Sequence, residues 1–155
     1  MLSSIEQRAS RGLKLLQVRE PQLAEEERDA FTRRAIGAAH RYGCKVMVKS
    51  AFPGADGIHF TASDLKALQA KPEHVLAAAS CHTREELEHA MRLELDFAVL
   101  GPVKDKAAIG WQQFAMLVNG TTIPVYAIGG LRREDLEDAR RAGAHGIAMI
   151  RGAWK

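Results

Sequence analysis

Two glycine-bearing turns carry the clearest chemical signal in this sequence. Ala127-Ile128-Gly129-Gly130 closes one short apolar run, and Ile150-Arg151-Gly152 closes a later one. Glycine lets the main chain approach an anion closely, so that backbone N–H groups do the binding. The plainer alternative is that the glycine pair only permits a tight turn. Gln17 and Arg19 alternate around Val18 and would share one face of a strand, presenting an amide and a guanidinium to a polar or anionic ligand. On an exposed edge strand the same two residues would simply face solvent. Asp64 stands where a helix should begin, suited either to capping it or to holding Mg²⁺. His82 follows Ser80 at a strand end, where an imidazole can serve as acid or base near neutral pH or can be merely structural. His59 sits inside an apolar run and is expected to pack. His40, His74, His89 and His145 show no ligand spacing.

These residues have to be positioned by something regular, and the chain supplies a repeat. An amphipathic segment, a glycine or short turn, and a brief run rich in Val, Ile and Leu recur with little filler. The apolar runs fall at 13–18, 45–48, 57–60, 75–79, 97–100, 124–128 and 147–150. Ser4 with Gln7 and Thr83 with Glu86 match capping boxes. Phe31, Ala35, Ala38 and Tyr42 give one buried helical stripe, and Trp111, Phe114, Ala115 and Val118 another. Short apolar strands separated by helices indicate a parallel sheet covered on both faces. Their uniform length favours a closed (β/α)8 TIM-type barrel over an open doubly wound sheet. About seven strands are legible and the chain opens on a helix, so the first strand is expected to be missing, leaving an edge beside Gln17. One domain spanning residues 1–155 is expected.

Composition narrows the function classes. The 155 residues are 46% apolar and carry a net charge of +3, with basic and acidic residues interspersed. Nucleic-acid binding would need clustered Lys and Arg with interleaved aromatics, and aromatics make up 6%. Cys44 and Cys81 lack CxxC spacing and read as ordinary thiols. No run approaches a spanning helix and no apolar signal segment opens the chain, so no membrane association and a cytoplasmic location are expected.

The ordered segments Leu16-Gln17-Val18-Arg19, Ala55-Asp56-Gly57-Ile58-His59, Ser80-Cys81-His82-Thr83, Asp96 to Pro102, Ile123 to Gly130 and Ala142 to Ala148 resemble those of the thiamine phosphate synthase and TenI-like family. The variant is similar to the synthase-like domain fused behind Nudix hydrolases, which implies an upstream Nudix domain; the edge beside Gln17 is expected to be covered by such an upstream segment or by a second copy in a homodimer. The resemblance implies coupling of a pyrimidine diphosphate to a thiazole phosphate with release of pyrophosphate and with Mg²⁺ as cofactor. It assigns Gln17 and Arg19 to the diphosphate, Asp64 to the metal and Ser80 to the pyrimidine side. Gly129, Gly130 and the backbone near Ile150 and Arg151 would hold the thiazole phosphate. His82 matches the acid/base histidine of TenI-like thiazole tautomerases, which leaves that activity, or a non-catalytic phosphate-ligand module, as alternatives. Departures fall on the ligand loops: Pro21 and Arg151 replace an expected lysine and serine, Lys49-Ser50 stands for an Asn-Asp pair, and a Thr-rich loop is cut to Val103-Lys104-Asp105-Lys106. Lys104 or Lys106 would then be the residue left to reach an anion.

Overall fold

The computed structural model describes residues 2–150 and 153. The described residues form α1 (Leu2–Ser10), β1 (Leu15–Gln17), α2 (Glu25–His40), β2 (Lys45–Val48), β3 (Gly57–Phe60), α3 (Ala62–Ala67), β4 (Leu76–Cys81) and α4 (Arg84–Arg92). Then come β5 (Phe97–Leu100), α5 (Gly110–Val118), β6 (Val125–Ala127), α6 (Leu136–Arg141) and β7 (Gly146–Ile147), with a 3-10 turn at Arg133–Asp135 leading into α6. Seven parallel strands alternating with helices are the α/β repeat that the sequence predicts. One interval departs from it: β2 and β3 are joined by residues 49–56 without a helix, because Pro53-Gly54 breaks a segment already too short for one.

The chain gathers into two compact units, one running to His59 and including His74–Leu76, the other comprising Phe60–Glu73 and Ala77 onwards. In the first unit β1 pairs with β2 in the register Leu16↔Val46 and Gln17↔Met47, and β2 pairs with β3 through Met47↔Gly57. Leu16, Val18, Val46 and Val48 are buried with Ile5, Ala9, Ala35 and Ala39 of α1 and α2. Strand alternation therefore sends Gln17 and Arg19 to the face away from the helices, where both are exposed. Glu25, Glu26 and Glu27 occupy the first turn of α2, where carboxylates offset the positive end of the helix dipole.

In the second unit β4, β5, β6 and β7 pair in chain order. Ala77, Ala79, Cys81, Ala98, Leu100, Val125 and Ala127 pack against Leu65, Leu87, Ala90, Phe114, Val118 and Ala139 from the helices. The intervening residues Ser80, Val99 and Tyr126 are in register and face the other way. Alanine on the strands leaves room for Phe114, which is fully buried; small against large is how such layers reach close packing.

A recurring fastener secures the strand starts. Asp56 donates its N–H to Val46 O at 2.8 Å and accepts from Val46 N on Oδ2 at 2.7 Å. Asp96 does the same to Ala77, with 2.8 Å and 2.7 Å. At the equivalent point before β7, His145 keeps only the main-chain half, donating to Val125 O at 2.7 Å. The carboxylates have further partners in His40 Nε2 and Lys71 Nζ.

Three local expectations change. Ser4 lies inside α1, which already begins at Leu2, so it is not a cap. Tyr42 falls beyond the end of α2 and is 43% exposed, while Ala39 takes the buried place. Of the two predicted capping boxes, Thr83 does accept from Glu86 N at 3.2 Å, but Glu86 Oε2 reaches one residue further back, to His82 N at 2.7 Å.

Candidate functional site

The strongest candidate lies wholly in the second unit. A cavity of about 760 Å³ opens beyond β6 and β7, lined by Ile128, Gly129, Gly130, Leu131, Ala148 and Ile150, with Arg132 and Arg133 at its margin and Asp105 and Glu134 beside them. The first glycine turn singled out in the sequence and Ile150, the described residue of the second, thus border one space at strand C-terminal ends, where barrel-type α/β proteins keep their ligands. Among the described residues, none accepts a hydrogen bond from the N–H groups of Gly129, Gly130 or Leu131. Successive unpaired amides of this kind form an anion-receptive concavity.

The glycines have a packing reason as well. Val103 N donates to Ile128 O at 2.8 Å and Lys104 N to Gly129 O at 2.9 Å, so the loop after β5 lies directly on the turn. A Cβ on Gly129 would stand 2.5 Å from Pro102 Cα, and one on Gly130 3.0 Å from the Lys104 carbonyl carbon. Both residues also hold positive φ, +105° and +68°. The tight-turn reading of the pair therefore has a packing basis, one that is compatible with an anion at the amides.

His82 is exposed at the end of β4, on the side of the sheet shared by Ser80. Its Nδ1 lies 2.7 Å from Gly101 O. A carbonyl can only accept, so Nδ1 carries the proton and the neutral ring keeps Nε2 as an acceptor. The backbone is fixed in turn by Glu86, which is 8% exposed and also pairs with Lys66 Nζ at 3.6 Å. Ser80 is half-buried on the same strand.

The remaining predicted residues divide. Gln17 and Arg19 belong to the first unit and point away from its helices, as described. Burial and the Arg19 charge push the His59 imidazole down to about 4, which keeps it neutral and matches a packing role. Lys104 Nζ is engaged by Asp135 Oδ1 at 2.5 Å, and Lys106 is exposed beside Asp105. Ile150 lines the cavity, whereas Arg151 lies outside the described residues. Burial, with Glu86 nearby, pushes the Cys81 thiol up to about 12; it is no nucleophile. Arg132 and Arg133 were missed by sequence reasoning, although a basic pair one residue past a glycine pair was a signal in plain view.

Asp64 closes a capping box on α3: its N–H donates to Thr61 Oγ1 at 3.1 Å, and its Oδ2 accepts from that hydroxyl at 2.7 Å. Among the described residues no three His, Cys, Asp or Glu gather as metal ligands. Mg²⁺ is commonly held by one or two carboxylates with substrate phosphates completing the shell. The residues present fit that ion only in its leanest form, with Asp64 as the single carboxylate.

Fold and site together define a parallel α/β protein of TIM-barrel type with an anion-receptive turn at its strand ends. Residues 1–153 match the family model for thiamine monophosphate synthase, and the chain belongs to that family. It is 28% identical to the thiamine-phosphate synthase of Azorhizobium caulinodans over 97% of this chain and 78% of the relative. The synthase of Caldicellulosiruptor saccharolyticus is also 28% identical, over 90% of this chain and 70% of that one. Thiamine phosphate pyrophosphorylase from Pyrococcus furiosus shares the fold with a TM-score of 0.82 at 21% identity, covering 96% of this chain and 78% of that structure.

Proposed function

We propose that this protein binds the phosphate of a thiazole phosphate in the cavity at Gly129 and Gly130 and couples that thiazole to a pyrimidine diphosphate, releasing pyrophosphate. The observation that carries the reading is the run of amides at Gly129, Gly130 and Leu131, without an acceptor among the described residues, on a cavity that Ile150 also borders. In such a transfer the protein stabilises charge instead of supplying a nucleophile. Gln17 and Arg19 would bind the diphosphate, Ser80 the pyrimidine side, and Lys106 the departing charge. Asp64 would hold Mg²⁺, whose charge offsets that of the leaving pyrophosphate.

A second reading has its own support. The His82 ring, with Nδ1 tied to Gly101 O and Nε2 left as acceptor, is prepared to take a proton from a phosphorylated thiazole and return it elsewhere, which is tautomerase chemistry. One pair of assays separates the readings. Incubation with both precursors and Mg²⁺ should yield thiamine phosphate; a blank there, together with thiazole aromatisation that His82→Ala abolishes, would transfer the assignment to the tautomerase. Thiazole phosphate binding without either product would leave a non-catalytic module.

A further inference from the structure

The turn at the cavity is gripped at its two ends by two residues that do not line it. Lys104 holds one end, its N–H donating to Gly129 O at 2.9 Å. Its Nζ then reaches Asp135 Oδ1 at 2.5 Å, and Asp135 Oδ2 accepts from Arg132 N at 2.8 Å, holding the other end. Between the two grips lie the amides of Gly130 and Leu131, which have no acceptor among the described residues. Asp135 is nearly buried, with its side chain 13% exposed, whereas the Lys104 side chain is 42% exposed. The Lys104 hydrogen bond, with Arg132 N–H and the charges of both residues, keeps the Asp135 carboxyl below the usual carboxylate range despite its partial desolvation.

We propose that Lys104 and Asp135 act as positioning residues that hold the Gly129–Arg132 turn in its anion-receiving conformation, so that phosphate affinity depends on a carboxylate. This rests on the reading of the cavity as a phosphate site. It runs against simple charge counting. A carboxylate beside an anion site repels the ligand, and removing it would also free a lysine to bind, so electrostatics alone predicts tighter binding without Asp135. Preorganisation predicts the opposite, because an unfastened turn must be ordered at the cost of ligand affinity.

The sign of one measurement decides between them. Affinity of the full chain for inorganic phosphate and for thiazole phosphate would be measured by calorimetry, first on the unaltered protein. Failure of the unaltered protein to bind either ligand would sink the phosphate reading itself. Given binding, Asp135→Asn is expected to weaken it about tenfold, within the usual range for coupled neighbours. Asp135→Glu, which restores the carboxylate, should recover most of the loss. Asp135→Asn binding as tightly as the unaltered protein, or more tightly, overturns the proposal. Should Asp135→Asn not fold, Lys104→Gln keeps the question open to test, since its uncharged side-chain amide can still donate to Asp135 Oδ1 while Asp135 still accepts from Arg132 N. Positioning predicts that this variant retains phosphate binding within a few-fold, whereas a direct contact of the Lys104 charge with the anion predicts its loss.

Discussion

His82 illustrates how much a single contact changes the value of a residue. Its position after a strand was visible in the sequence, but a lone histidine reads equally well as structural; the Gly101 carbonyl, nineteen positions on, fixes its tautomer and no local pattern announces that partner. Arg133 is the complementary case. It borders the cavity, and Arg133→Ala is expected to weaken thiazole phosphate binding by roughly 0.5–1 kcal/mol, an ordinary exposed charge contribution, with melting temperature unchanged; an affinity equal to the unaltered protein would remove it from the site. His59 carries a pH prediction. Its folded value of about 4 lies below the ordinary imidazole value, so the unfolded chain binds the extra proton first as acid is added. The stability contributed by neutral His59 is complete above about pH 6.5 and is lost as pH falls toward 4, on the order of 3 kcal/mol in all. Urea unfolding at pH 7 and pH 4.5 should show this loss, and His59→Phe should flatten that part of the profile.

At the level of elements, the strands were legible because short apolar runs bounded by turns leave little choice of conformation. β2, β3 and β5 fall where the sequence puts them, while β1, β6 and β7 are shorter than their apolar runs. Hydrophobicity marks what can be buried, but a strand ends where the ladder ends. The helixless β2–β3 connection was not legible, since it follows from how few residues separate two strands. The grip of Lys104 and Asp135 on the glycine turn was equally hidden, as it joins loops thirty-one positions apart. Gly129→Ala tests that loop packing directly: the added methyl would meet Pro102, so the turn should shift and thiazole phosphate affinity should fall by at least about tenfold. Unaltered affinity would mean that the neighbouring loop yields easily.

Over the whole chain, the family relation and the fold were readable from ordered motifs, because scaffold segments such as Asp96 to Pro102 are fixed by packing. The ligand loops depart from the pattern that the resemblance implies, and incubation with both precursors decides what chemistry they support. The cavity belongs entirely to the second unit. Thiazole phosphate at about one hundred times its dissociation constant should stabilise the fold by about 2.7 kcal/mol, and hydrogen exchange should slow chiefly in β6, β7 and their following loops. Uniform slowing along the chain would point to a different binding place. The paired carboxylate fasteners at Asp56 and Asp96 bear on how such a chain tolerates change. Each spends its side chain on a main-chain N–H of the preceding strand, a partner that no substitution in that strand except proline can remove. Saturation mutagenesis should therefore find the strand interiors permissive toward apolar swaps and these two aspartates nearly immutable, although at 28% and 32% exposed a ranking by depth would have passed over both.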